Sequence, residues 1–179
     1  MKKRLLSGVL SVLGIAVLGF SVVLGQRIYH SYQMKRSSVN TFAIQNTKTN
    51  MNIRVYNAGI KDGERIILYR HANWECMTWQ FIKLEDGSYL LKNLYTQKTI
   101  QPSSTPEEGV ALWQQPLEAN SIQYWEFIEQ ADKTYLIRLK GTELYITVSS
   151  DESNTDIILM PMQNSPEQQW RLIEQHPVV

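Results

Sequence analysis

Tryptophan recurs in this 179-residue chain at Trp79, Trp125 and Trp170, at intervals of 46 and 45 residues. A period of about 45 residues marks a repeated supersecondary unit that cannot bury its apolar face alone. The register runs on past each indole. Trp79-Gln80-Phe81-Ile82, Trp125-Glu126-Phe127-Ile128 and Trp170-Arg171-Leu172-Ile173 all place an apolar residue two positions on and isoleucine three positions on. Upstream, Phe42-Ala43-Ile44, Tyr89-Leu90-Leu91 and Tyr135-Leu136-Ile137 open the units. Second apolar pulses centre on Ile53, Ile100 and Ile146, and third pulses fall at Ile66-Ile67-Leu68, Val110-Ala111-Leu112 and Ile157-Ile158-Leu159. The spacing predicts four short strands per unit, with tryptophan opening the fourth.

Turn chemistry agrees: Asp62-Gly63, Asp86-Gly87 and Asp132-Lys133 bound the strand segments. After Ser37 no stretch holds a 3.6-residue apolar period for ten residues. The expected class is therefore all-β. Twelve strands in three equal sets must share one core about a pseudo-threefold axis, and closing the sheet removes its exposed edges.

The N-terminus obeys a different rule. Lys2, Lys3 and Arg4 precede residues 5–25, which carry no charged side chain. At 1.5 Å per residue such a run spans about 30 Å, the hydrocarbon thickness of a bilayer. It reads as a transmembrane anchor or as a signal peptide cleaved after Gly25, and both readings stay open. Residues 26–36, with Tyr29 and Tyr32, read as a juxtamembrane stalk. Residues 37–179 make one domain, in units of about 37–82, 83–128 and 129–179. Either N-terminal reading sends that domain across a membrane, facing the extracytoplasmic side or secreted.

Setting aside the basic cap leaves 15 basic against 17 acidic side chains, which disfavours nucleic acid as a partner. The lone Cys76 permits no intrachain disulfide and reads as a small buried group. His30, His71 and His176 lack metal-ligand spacing, the adjacent acids Glu107-Glu108 and Asp151-Glu152 read as solvated loop residues, and no phosphate-binding glycine loop is in view. No catalytic residue, metal or cofactor is expected.

The stretches ending in Gln123-Tyr124-Trp125 and Gln168-Gln169-Trp170 resemble the repeats of ricin B-type lectins, known for a Gln-x-Trp signature. The resemblance covers residues 37–179 and is weaker in the first unit, where Met77 stands in place of glutamine. It implies a β-trefoil: a six-stranded barrel capped by three hairpins, with the three tryptophans as framework. It also implies shallow carbohydrate pockets, at most one per unit. Each would be built from an aspartate after the second-strand isoleucine, an aromatic on the third strand, and an asparagine before Gln-x-Trp.

This chain departs from that pattern. The aspartate position reads Arg54, Gln101 and Thr147; the asparagine position reads Cys76, Ile122 and Glu167. The aromatic is assigned to Tyr69 and Trp113, with Met160 in the third unit. Two candidate sites follow. In the second unit, Trp113 is expected to face outward with Gln101, Gln115 and Asn120 nearby, as a sugar-stacking residue or as packing beneath the 114–122 loop. In the first unit, Tyr69, Asn73 and Trp74 gather beside Arg70 and His71, for stacking or cation–π contact. The leading function is an exported, non-catalytic carbohydrate-binding module, with membrane contact through residues 5–25. The alternative is a protein-binding delivery subunit of the kind found in cytolethal distending toxins, without a retained sugar site. A trefoil protease inhibitor is a more distant reading.

Overall fold

The computed structural model describes residues 40–118 and 120–177. The apolar segment at 5–25 and the stalk at 26–36 lie outside the described residues. Among the described residues no helix is long and apolar enough to cross a membrane.

Twelve strands fall into three sets of four. The first unit holds β1 (Thr41–Asn46), β2 (Met51–Val55), β3 (Ile66–Arg70) and β4 (Trp79–Lys83). The second holds β5 (Tyr89–Asn93), β6 (Thr99–Pro102), β7 (Leu112–Gln115) and β8 (Trp125–Glu129). The third holds β9 (Tyr135–Leu139), β10 (Leu144–Val148), β11 (Ile157–Pro161) and β12 (Trp170–Glu174). The outer strands of each unit pair in a ring, β1 with β4, then β5, β8, β9, β12 and back to β1, every pair antiparallel. That is a closed six-stranded barrel. The inner strands form three hairpins, β2 with β3, β6 with β7 and β10 with β11. The fold is the β-trefoil that the resemblance implied, closed about a pseudo-threefold axis as the repeat required.

Trp79, Trp125 and Trp170 are fully buried. Each opens the strand that returns from a hairpin to the barrel, and each indole N–H donates to the backbone carbonyl at the second-strand isoleucine of its own unit. The distances are 3.4 Å to Ile53, 3.3 Å to Ile100 and 3.1 Å to Ile146. A buried indole thus contributes about 150–250 Å² of burial while its one donor is satisfied, which ties hairpin to barrel three times over. Around them pack Ile44, Leu91 and Ile137 from the barrel and Ile53, Ile100 and Ile146 from the cap.

The hairpins meet one another by a threefold set of backbone contacts. Bridges join Arg65 to Trp113, Ala111 to Ile158 and Asp156 to Ile67. The hairpin turn of each unit bonds the third strand of the next: Gly63 N to Gln114 O, Gly109 N to Leu159 O and Asn154 N to Leu68 O, at 2.9, 2.8 and 2.8 Å. All three donors sit in the left-handed region, at φ 78°, 83° and 69°. Two are glycine and the third asparagine, the residue types that adopt this conformation at least cost.

Candidate functional site

Register decides which side chains can share a surface. On the first hairpin Ile53 lies opposite Leu68, and these face the core; Asn52 opposite Tyr69 and Arg54 opposite Ile67 share the other face, where Asn52 and Ile67 are buried and Arg54 and Tyr69 half-buried. Arg54 and Tyr69 are therefore diagonal neighbours on one face, within reach for long side chains. The Arg54 guanidinium carbon lies 4.3 Å from the Tyr69 ring centroid and 5.3 Å from that of Trp74. The two rings are 6.3 Å apart and tilted by 33°. Trp74, on the loop after β3, remains 48% exposed, so the ring cluster presents indole surface to solvent. The cation that meets the rings is Arg54 from the neighbouring strand, where the sequence had suggested Arg70. Arg70 lies opposite Met51, is exposed, and sits on the alternate face of the strand.

The loop is anchored beneath this surface. Asn52 Nδ2 donates to His71 Nδ1 at 3.0 Å. Gln175 Nε2, from beyond the last strand, donates to the Ala72 carbonyl at 2.7 Å. Asn73 is exposed at the loop tip.

The second unit arranges its candidates differently. Trp113 lies directly opposite Gln101, and Gln115 follows on the same face opposite Thr99. The Gln101 amide oxygen accepts from Gln123 Nε2 at 2.8 Å. Asn120 Oδ1 accepts from the Ile122 amide at 3.3 Å, capping the 3-10 turn Ser121–Gln123. The Trp113 ring lies over Gly63 of the first hairpin, where an added Cβ would stand 3.6 Å from its Cε3. The structure brings Trp113 and Gln101 together and places Asn120 on a separate loop. Counting back from the framework tryptophan also corrects the third-strand alignment. Tyr69, Gln115 and Met160 each precede it by ten residues, whereas Trp113 matches Ile67 and Ile158, twelve before it. Trp113 thus occupies the hairpin–hairpin contact and not the position of Tyr69.

In the third unit Thr147 is buried. Its hydroxyl donates to the Tyr145 carbonyl at 2.9 Å and accepts from Gln168 Nε2 at 3.0 Å. Met160 is half-buried and brings no aromatic face. At the barrel end away from the hairpins, a recess of about 520 Å³ is lined by Phe42, Phe81, Tyr89, Phe127, Tyr135 and Leu172, with Lys83 and Glu129 at its edge. Among the described residues no cluster of histidine, cysteine and carboxylate side chains could hold a metal ion.

A family model described as ricin-type beta-trefoil lectin domain-like matches residues 75–160. Over those residues, just under half of its length, the chain is similar to that family. Among solved structures it is similar to the designed three-fold symmetric protein ThreeFoil, at 20% identity and a TM-score of 0.72, covering 75% of this chain and 98% of that one. It is similar to the Macrolepiota procera ricin B-like lectin solved in complex with lactose, at 17% identity and 0.65, covering 74% and 94%. It is also similar to the cytolethal distending toxin from Actinobacillus actinomycetemcomitans, at 13% identity and 0.65, covering 80% and 95%. No curated protein sequence matches the chain.

Within the β-trefoil the Gln-x-Trp glutamines are structural. Gln123 is 1% exposed; its Nε2 donates to the Pro116 carbonyl and its Oε1 accepts from the Glu118 amide, both at 2.9 Å. Gln168 repeats this with Pro161 and Gln163, at 2.8 Å each. In the first unit Met77 is buried in the glutamine position, and Gln175 reaches the loop from another part of the chain. Two further framework residues escaped notice in the sequence. Asn46 and Asn93 each cap their own turn, accepting from the hydroxyl three residues on (Thr49, Thr96), and each donates into the 3-10 turn of a neighbouring unit. Their Asn-x-x-Thr spacing is readable once known; Leu139 breaks it in the third unit.

Proposed function

We propose that the lectin-like domain is a non-catalytic glycan-binding module, and that its site lies in the first unit at Tyr69, Asn73 and Trp74 with Arg54. The observation that carries this reading is the Trp74 indole, nearly half exposed on a loop anchored at His71 and Ala72 and set at an angle to Tyr69. Such a face complements the C–H surface of a pyranose, and few polar groups are then needed to fix its orientation. Similarity to a lectin that holds lactose supports the class of ligand. Trp113, Gln101, Gln115 and Asn120 are less suited, because Trp113 covers Gly63 and two of the three amides already hold framework bonds. Residues 5–25 would hold the module at the outer face of the cytoplasmic membrane, where clustering raises the avidity of a shallow pocket.

A glycan array probed with the full chain, kept in a detergent that carries no sugar, tests the proposal. Binding lost in Trp74→Ala but kept in Trp113→Ala is the expected result. Equal loss in neither variant would overturn the site, and an empty array would overturn the class. The similarity to the cytolethal distending toxin favours one second reading, a protein-binding subunit of a toxin-like assembly. A stoichiometric protein partner on co-purification, with no glycan retained, is the outcome that would choose it.

A further inference from the structure

We infer that the first-unit site takes an acidic sugar, a uronic or sialic acid residue whose carboxylate is received by Arg54 while its ring lies on the Trp74 indole. The inference rests on the glycan-binding reading above and names the chemical class of its ligand.

Three observations carry it. The first is the donor inventory. A guanidinium stays protonated and only donates, through five N–H groups in a rigid planar fork, so it matches an oxyanion and cannot accept from sugar hydroxyls as a carboxylate would. Arg54 stands where the lectin pattern has aspartate, which inverts the polarity of the site.

The second is that Arg54 is left open. Its Nε is buried without a hydrogen-bond partner, and among the described residues no carboxylate pairs with it. Arg65 and Arg138, by contrast, are closed by Asp156 at 2.6 Å and by Glu126 at 2.8 Å. A donor kept from water with no acceptor is a costly arrangement, and with no hydrogen bond or ion pair on Arg54 among the described residues its two terminal nitrogens stay available to a ligand oxyanion.

The third is orientation. Tyr69 and Trp74 meet the guanidinium from their ring faces. A guanidinium held over ring faces by its charge keeps N–H groups to donate, and a carboxylate can take two of them at once. A peptide carboxylate would share the anion chemistry. The exposed indole beside it argues for a ring-shaped ligand.

Isothermal titration of the full chain in sugar-free detergent, at physiological ionic strength, would compare oligogalacturonate and sialyllactose with lactose and maltotriose, and poly-glutamate with all four. The acidic sugars should bind at least about tenfold more tightly than the neutral ones, the scale of one charge-assisted hydrogen bond. Arg54→Gln should bring that ratio close to one, Arg54→Lys should retain part of it, and Trp74→Ala should abolish sugar binding with the melting temperature held. Equal affinity for acidic and neutral sugars would overturn the acidic assignment and leave the glycan reading standing. Failure to bind any sugar would overturn both. A preference that survives Arg54→Gln, or poly-glutamate binding as tight as sugar binding, would overturn the role of Arg54 or the sugar ligand respectively.

Discussion

Replacing Gln123 by alanine isolates what the Gln-x-Trp glutamine does. Its side chain makes three hydrogen bonds: to the Pro116 carbonyl at 2.9 Å, to the Gln101 amide oxygen at 2.8 Å and from the Glu118 amide at 2.9 Å. Each buried bond contributes about 1 kcal/mol net, so the truncation should cost about 3 kcal/mol. Pro116 and Glu118 belong to exposed residues, and water reaching them would limit the penalty for orphaned groups. In a domain of this size 1 kcal/mol moves the midpoint by roughly 3 °C, so Gln123→Ala should melt about 9 °C lower. Near-ultraviolet circular dichroism of the full chain, with urea unfolding alongside, reads both quantities. Gln123→Glu is the sharper control. It keeps the shape but has no N–H to give Pro116 or Gln101, so at neutral pH it should lose at least as much. A loss below about 1 kcal/mol in both variants would refute the idea that this side chain holds the loop ahead of Trp125.

Trp113→Ala should lower stability by about 1–3 kcal/mol through lost packing over Gly63, measurable by urea unfolding, with no change in glycan affinity. On the acid side, Asp86 is held well below the usual carboxylate range, first by Lys140 and then by Ser88. Glu167 is lowered chiefly by Lys48. A carboxyl depressed in the folded state stabilises above its unfolded pKa, and that contribution fades as pH falls through the folded value. Urea midpoints should therefore drop below about pH 4, and Asp86→Asn should make the profile shallower there. The N-terminal mass of the native protein decides between cleavage after Gly25 and an intact anchor; an intact Met1 or Lys2 terminus is expected if residues 5–25 serve as the anchor.

The barrel was legible in the sequence because its constraint is severe. Only a fully buried indole with a satisfied N–H fits at Trp79, Trp125 and Trp170, so those three residues keep their identity where the apolar positions around them keep only their character. The hairpins were less legible. The length of chain between the second-strand isoleucine and the framework tryptophan differs in each unit, since hairpin turns tolerate insertion. Strand register then depends on pairing with a partner that the linear sequence does not show. Trp113 looked equivalent to Tyr69 as the aromatic of the third strand; counting back from Trp125, and the pairing of Ile100 with Gln114, place it two residues earlier. Arg54 was visible as a departure from the lectin pattern, but its contact with Tyr69 and Trp74 needed the diagonal geometry of β2 and β3. Gln175 could not be foreseen as the anchor of the Ala72 loop, because the two are separated by 103 residues.

The pairing of β1 with β12 carries a consequence for how the molecule is made. Phe42 to Asn46 find their longest run of partners in Trp170 to Glu174, on the far side of ten intervening strands; β2 and β4 meet β1 at only one and two positions. Until Trp170 to Glu174 emerge, β1 keeps one flank bare and one indole is missing from the interior. Assembly of such a circuit falls in the slow, non-local regime of milliseconds to seconds. Loss of the final strand would accordingly not trim the molecule but leave it unclosed, with an adhesive edge beginning at Thr41.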